Sequence, residues 1–145
     1  MEMLSPQHLF LEYLSKNKMV ATEQRRVVLE VFLEMVGHYS SEELYMKVRE
    51  RDSTISSATV YRTIKLLVES RIAEPMDFGD GVVRFECCGR KQHHDHLVCI
   101  QCGKKVDVVD KDIEELQRVM GARHGFSLKR HKMILFGICS DCRKP

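Results

Sequence analysis

Residues 57–86 read SATVYRTIKLLVESRIAEPMDFGDGVVRFE, and the period of the apolar positions changes part-way along. Up to Glu69, Val60, Ile64, Leu67 and Val68 recur at helical spacing, with Ser56 or Ser57 as the N-cap. From Ile72 the period shortens towards two. Ile72-Ala73-Glu74-Pro75-Met76 and Val82-Val83-Arg84-Phe85-Glu86 flank Asp77-Phe78-Gly79-Asp80-Gly81, which is the composition of a hairpin. Upstream, Leu4, His8, Leu11 and Tyr13-Leu14 form a short amphipathic segment that stops near Asn17. Thr22 caps a helix with Val27, Val28, Val31, Phe32 and Met35 on one face, ended by Gly37. Ser40-Ser41-Glu42-Glu43 is a capping box opening a helix through Leu44, Tyr45 and Val48. Short helices with tight turns are compatible with a helix-turn-helix, and the hairpin after them makes a winged helix. In that arrangement the last helix enters the major groove of DNA and the wing lies along the backbone.

The chain after Glu86 has a different character. All six Cys and five of the seven His lie there. Residues 1–86 carry 11 basic and 14 acidic side chains, residues 87–145 carry 12 and 7, so the net of +2 conceals −3 followed by +5. This shift, beside Cys88-Gly89-Arg90-Lys91-Gln92, predicts a hinge over 87–92 between the winged-helix part, 1–86, and a small α+β module rich in metal-ligand side chains, 93–145. The fold class is α+β. With 43% hydrophobic and 30% charged residues the chain is globular rather than disordered. No stretch approaches ~20 apolar residues, and Met1 to Phe10 lacks the pattern of a signal peptide. The expectation is therefore a cytoplasmic protein whose cysteines are metal ligands or redox thiols rather than disulfides.

Two groups in this half carry chemistry. Cys99-x-x-Cys102 and Cys139-x-x-Cys142 each offer a chelating pair suited to a tetrahedral centre, and they predict a structural zinc site. The 36 residues between the pairs read as strand (Lys105 to Val109), helix capped by Asp110, and strand over most of Phe126 to Cys139. A gap so filled can close only through tertiary structure. The second group is His93-His94-Asp95-His96. In a strand, His94 and His96 share one face while His93 and Asp95 share the other. Two half-sites result, with imidazole and carboxylate donors suited to Zn²⁺, Fe²⁺ or Mn²⁺. No Gly-x-Ser-x-Gly, phosphate loop or His-Glu-x-x-His marks an enzyme. On the helix that carries Val60, Ile64 and Leu67, Ser57, Thr59 and Arg62 have the chemistry to meet phosphates or guanine, and Tyr61 to pack on thymine methyls.

Together these motifs resemble the ferric uptake regulator family of metal-dependent repressors. The resemblance runs from Thr22-Glu23-Gln24-Arg25 to Cys142, through Ala58-Thr59-Val60-Tyr61-Arg62-Thr63, Phe78-Gly79-Asp80-Gly81, Arg84-Phe85-Glu86, His93-His94-Asp95-His96-Leu97, His124-Gly125-Phe126 and Gly137-Ile138-Cys139. It implies a homodimer that binds palindromic operator DNA when a regulatory metal is bound, with no membrane partner. The family's regulatory site falls on His38, Glu86, His94 and His96, with Asp107 as a fifth ligand. An additional site falls on His93, Asp95, Glu114 and His131. The structural zinc falls on the four cysteines named above. Tyr61 and Arg62 match the base-contacting pair, and Arg25 joins Ser57 and Thr59 among the DNA-binding residues. A metal joining His38 and Glu86 to His94 and His96 would tie the two domains in one orientation, and so set the spacing of the two recognition helices in the dimer.

Three features depart from the family pattern. Val20 stands where members often carry Lys or Arg for the minor groove, with Lys16 and Lys18 as the nearby substitutes. Cys87-Cys88 is unusual in the hinge, and a thiolate there would favour zinc. Asp107 resembles the acid of the family's peroxide sensors, yet those have Asp where Glu86 stands. The expected function is thus an Fe²⁺-responsive repressor of metal-uptake genes, with Zn²⁺ or Mn²⁺ as alternative regulatory metals. The alternatives are a zinc-uptake or peroxide-sensing regulator of the same family. From other classes come a mononuclear metalloenzyme using His94, His96 and Glu86, and a zinc-stabilised adaptor that binds protein.

Overall fold

Side-chain caps start each helix of the N-terminal half. Ser5 caps α1 (Pro6–Lys16), Thr22 caps α2 (Glu23–Glu34) by accepting the Arg25 amide, and Ser56 caps α4 (Ser57–Glu69) by accepting the Thr59 amide. The capping box is present as the sequence predicts: Ser40 Oγ accepts the Glu43 amide at 3.1 Å, and the Glu43 carboxylate accepts the Ser40 amide, opening α3 (Ser41–Arg51). Each such cap satisfies an otherwise orphaned amide and contributes about 1 kcal/mol. In the computed structural model, residues 4–88 and 94–144 are described, and the chain divides into two compact units, Met1–Arg90 and Lys91–Pro145. Gly89 to Gln92 of the expected hinge, and His93, lie outside the described residues.

The apolar faces of the four helices meet in one core. Phe10, Leu14, Val28, Leu44, Val48, Val60, Ile64 and Leu67 are all buried there, with Ile72 and Ala73 from the start of the hairpin. The hairpin pairs β2 (Ala73–Asp77) with β3 (Val83–Cys87), in antiparallel register from Ala73 opposite Cys87 to Asp77 opposite Val83. Gly79 and Gly81 take positive φ angles in the turn between them, which L side chains adopt at a cost. A third strand, β1 (Tyr39–Ser40), joins the far edge of β3, so the order is β1-β3-β2. Sequence reading missed β1: two residues carry no period, and their partners, Phe85 and Arg84, are distant in the chain. This unit is the expected winged helix.

In the second unit, β4 (Asp95–Cys99) pairs antiparallel with β5 (Lys105–Val108) across the Cys102-Gly103 turn. The helix α5 (Lys111–Arg123) follows, capped by Asp110, whose carboxylate accepts the Asp112 and Ile113 amides. Then β6 (Ile134–Gly137) returns parallel to β4, giving the order β5-β4-β6, and the short α6 (Ser140–Arg143) ends the chain. Parallel pairing needs a crossover, and α5 supplies it. The long strand expected from Phe126 contracts to Ile134–Gly137. The ladder to β4 begins only at Ile134, opposite His96. Leu128 instead lies against α5, where its side chain fills the space over Gly121.

The buried apolar side chains of this unit are few. Val98 and Cys99 are buried, whereas Ile100, Leu116, Met120, Phe126 and Phe136 are each at least half exposed. So small a core stabilises little by itself.

Candidate metal centres and nucleic-acid interface

The four cysteines are brought together by the β4–β5 turn and the residues after β6. Their sulfurs all lie within 4.8 Å of one another. Cys99 and Cys142 sulfurs are 3.8 Å apart, and those of Cys102 and Cys139 are 3.7 Å apart. A disulfide requires about 2.05 Å, whereas the edge of a tetrahedron with Zn–S of ~2.3 Å is about 3.8 Å. The separations fit zinc. The amides of Cys102 and Cys139 both donate to Cys99 Sγ, at 3.5 and 3.4 Å, and they pull this thiol down to about 6. The Cys142 thiol is pushed up to about 12, first by its hydrogen bond with Cys139 and then by that with Cys102. Without a cation, one sulfur of the cluster ionises readily and a second resists. A divalent cation removes that resistance, because thiolates are its ligands.

A second group in this unit joins Asp95, Glu114 and His131, whose donor atoms also lie within 4.8 Å of one another. Asp95 heads β4, Glu114 lies in the first turn of α5, and His131 precedes β6. Asp95 is only 2% exposed; its Oδ1 accepts the Met133 amide at 3.1 Å and its Oδ2 is 3.5 Å from His131 Nε2. A buried carboxylate beside an imidazole and a second carboxylate suits a cation. His93, assigned to this group by resemblance, lies outside the described residues.

On the neighbouring positions, His94 and His96 meet edge to face, ring centres 4.8 Å apart. Asp107 on β5, opposite His96 in the ladder, sets their orientation. Its Oδ1 lies 3.0 Å from His96 Nδ1 and its Oδ2 3.7 Å from His94 Nε2. Burial, foremost, and the adjacent His94 hold the His96 imidazole below its ordinary pKa, with Asp107 pulling the other way. The neutral ring is the form that binds metal.

The first unit holds its own pair. His38 Nε2 lies 3.8 Å from Glu86 Oε1, joining the segment before β1 to β3. The His38 ring also packs on Phe78 at the start of the wing turn, centroids 5.2 Å apart. The sequence gives no sign of that packing, since Phe78 reads as part of a turn and of a family motif, with no partner implied. Because β1 pairs with β3 at Tyr39 and Phe85, the chain neighbours of that pair, His38 and Glu86, come together.

Along α4, Ser57, Tyr61 and Arg62 are exposed, Thr59 is half-buried, and the Lys65 ammonium lies 5.1 Å from the Tyr61 ring centre. Thr59 is tied into the Ser56 cap, its Oγ1 accepting from Ser56 Oγ at 3.0 Å. Arg25 is partly engaged elsewhere, with Nη1 donating to the Val20 carbonyl at 2.6 Å. It thereby fixes the turn ahead of α2.

These features agree with known proteins. The ferric uptake regulator family profile matches residues 16–136. The ferric uptake regulation protein of Campylobacter jejuni is 37% identical over 135 residues, covering 92% of this chain and 85% of that one. That of Bacillus subtilis is 38% identical over 125 residues, 83% of each. Among solved structures, the Helicobacter pylori ferric uptake regulator, described as having three functional metal binding sites, superposes with a TM-score of 0.83 at 26% identity, covering 100% of this chain and 99% of that one. A zinc-bound manganese uptake regulator gives a TM-score of 0.65 at 36% identity, covering 90% and 98%. The chain belongs to the ferric uptake regulator family.

Proposed function

We propose that this protein is a homodimeric repressor of metal-uptake genes, acting in the cytoplasm on palindromic operators, with Fe²⁺ as its regulatory metal. By resemblance to the family, His38 and Glu86 of the first unit and His94 and His96 of the second are ligands of one regulatory ion. Asp107 is the fifth ligand or the group that orients His96. His93, Asp95, Glu114 and His131 form the additional site, and the four cysteines hold structural zinc. Arg25, Ser57, Thr59, Tyr61 and Arg62 face DNA, with 1–86 as the DNA-binding domain and 93–145 as the dimerisation domain.

The observation that carries this reading is the donor chemistry of two pairs of side chains. His94 and His96, and separately His38 with Glu86, offer only imidazole and carboxylate, which suit Fe²⁺, Mn²⁺ and Zn²⁺ alike. A bound ion that prefers the DNA-competent arrangement shifts the population towards it, and a preference of ~10⁴-fold makes the switch nearly complete. Zn²⁺ and Mn²⁺ are the second candidates, because a similar protein is a zinc-bound manganese uptake regulator. The similar proteins are ferric uptake regulation proteins, and the reading is of a regulator rather than an enzyme.

The test is operator binding in anaerobic buffer under Fe²⁺, Mn²⁺ and Zn²⁺, with His96→Ala beside the wild type. The variant should keep its fold and its structural zinc, yet lose metal-dependent retardation of palindromic DNA. Wild-type affinity in His96→Ala would overturn the assignment.

A further inference from the structure

The side chain of Gln117 is the feature of the second unit that none of the roles above uses. Glu114 and Gln117 stand three residues apart on α5, so they project from the same helix face. Glu114 reaches the group with Asp95 and His131. Gln117 lies against the residues that lead from His131 into β6: its Nε2 is 3.8 Å from Met133 Sδ, and the Met133 amide is the donor to Asp95 Oδ1. With the carboxamide nitrogen turned to sulfur, Gln117 Oε1 is buried and has no hydrogen-bond partner among the described residues. A buried carbonyl oxygen without a protein donor is costly, and such an oxygen is met by an ordered water or by a donor that comes with a ligand.

The neighbouring donor set says what that donor is. Asp95, Glu114 and His131 supply one nitrogen and carboxylate oxygens, a set that suits a divalent cation with water completing its coordination. Metal-bound water is a strong hydrogen-bond donor, since the cation lowers its pKa. We propose that Gln117 Oε1 accepts a hydrogen bond from a water bound to the divalent cation of this site, so that Gln117 positions that water and tightens cation binding. The proposal rests on the reading that Asp95, Glu114 and His131 hold a cation.

The experiment uses the full chain with its structural zinc retained and with His96→Ala to silence the regulatory site. Zn²⁺ is titrated against a chromogenic chelator, with and without His131→Ala, and thermal midpoints are recorded for metal-free and loaded protein. One further equivalent of Zn²⁺, lost in His131→Ala, upholds the underlying reading; without it, that reading and the proposal both fall. Given that equivalent, Gln117→Leu should weaken it about 10–100-fold, the usual effect of removing an outer contact. Gln117→Glu, which keeps the acceptor, should retain it. The metal-free midpoint of Gln117→Leu should stay level or rise, because an unpartnered oxygen has been removed. Unchanged Zn²⁺ affinity in Gln117→Leu overturns the proposal. So does a metal-free midpoint that falls as far as the loaded one, since Gln117 would then be structural only.

Discussion

Asp107 and His96 face each other across the β4–β5 ladder, with the carboxylate Oδ1 3.0 Å from the imidazole Nδ1. This contact fixes the ring plane and turns Nε2 away from the carboxylate. A carboxylate on one ring nitrogen also raises the basicity of the other. Asp107→Ala should therefore weaken regulatory-metal binding about 10–100-fold. The fold should persist, because the Asp107 side chain is 44% exposed. Isothermal titration with Mn²⁺ and a thermal melt would separate the two effects.

The same histidine gives the metal-free protein a dependence on pH. Burial holds the folded-state pKa of His96 below its ordinary value of 6.5. The unfolded chain then takes up the proton first as pH falls. The stabilisation is complete above the ordinary value and is lost as pH drops through the lowered one. Melts of metal-free protein between pH 8 and pH 5, spanning roughly the range in which histidine titrates, should show the decline. His96→Gln should flatten it.

Zinc removal should act unequally on the two units. The first has the large core around Val28, Val48 and Leu67, whereas the second buries few apolar side chains. Structural zinc contributes on the order of 10 kcal/mol in small domains. Cys142→Ser, or a strong chelator, should unfold the second unit and dissociate the proposed dimer while most helical circular dichroism remains. Sedimentation and circular dichroism together would show it.

Gly121 and Leu128 are packed too closely for a larger residue. A Cβ at Gly121 would meet Leu128 Cγ at 2.7 Å. Gly121→Val should destabilise by about 1–3 kcal/mol, the usual cost of overpacking. Adding Leu128→Ala should recover part of that loss, a non-additivity that a double-mutant cycle in urea would measure.

On the proposed DNA face, Arg62 and Tyr61 are exposed, so their removal should leave stability unchanged. Arg62→Ala should cost about 1–3 kcal/mol of operator affinity if it pairs with a base. Binding should also weaken steeply with salt, since phosphate contacts release counterions. Fluorescence anisotropy across a salt series, with operator and scrambled duplexes, distinguishes base reading from phosphate contact.

Much of this protein was legible along the chain. Caps at Thr22, Ser40 and Ser56 are local interactions, and so are the helical period of Val60, Ile64 and Leu67 and the glycines of the wing turn. Each is decided within a few residues, and the winged helix follows from them. The paired CxxC spacing likewise implied zinc, because each pair is a local chelate. Tertiary structure alone decided the rest. Strand β1 exists only because Phe85 and Arg84 are there to pair with it. Residues 126–133 leave the sheet because Leu128 finds the space over Gly121. The closure of Cys99 and Cys102 on Cys139 and Cys142 depends on β6 returning parallel to β4. Asp95, Glu114 and His131 meet for the same reason, since a crossover helix sets which face returns to the strand. Local propensity has no means of expressing such pairings, where the partners are far apart in the chain and close in space.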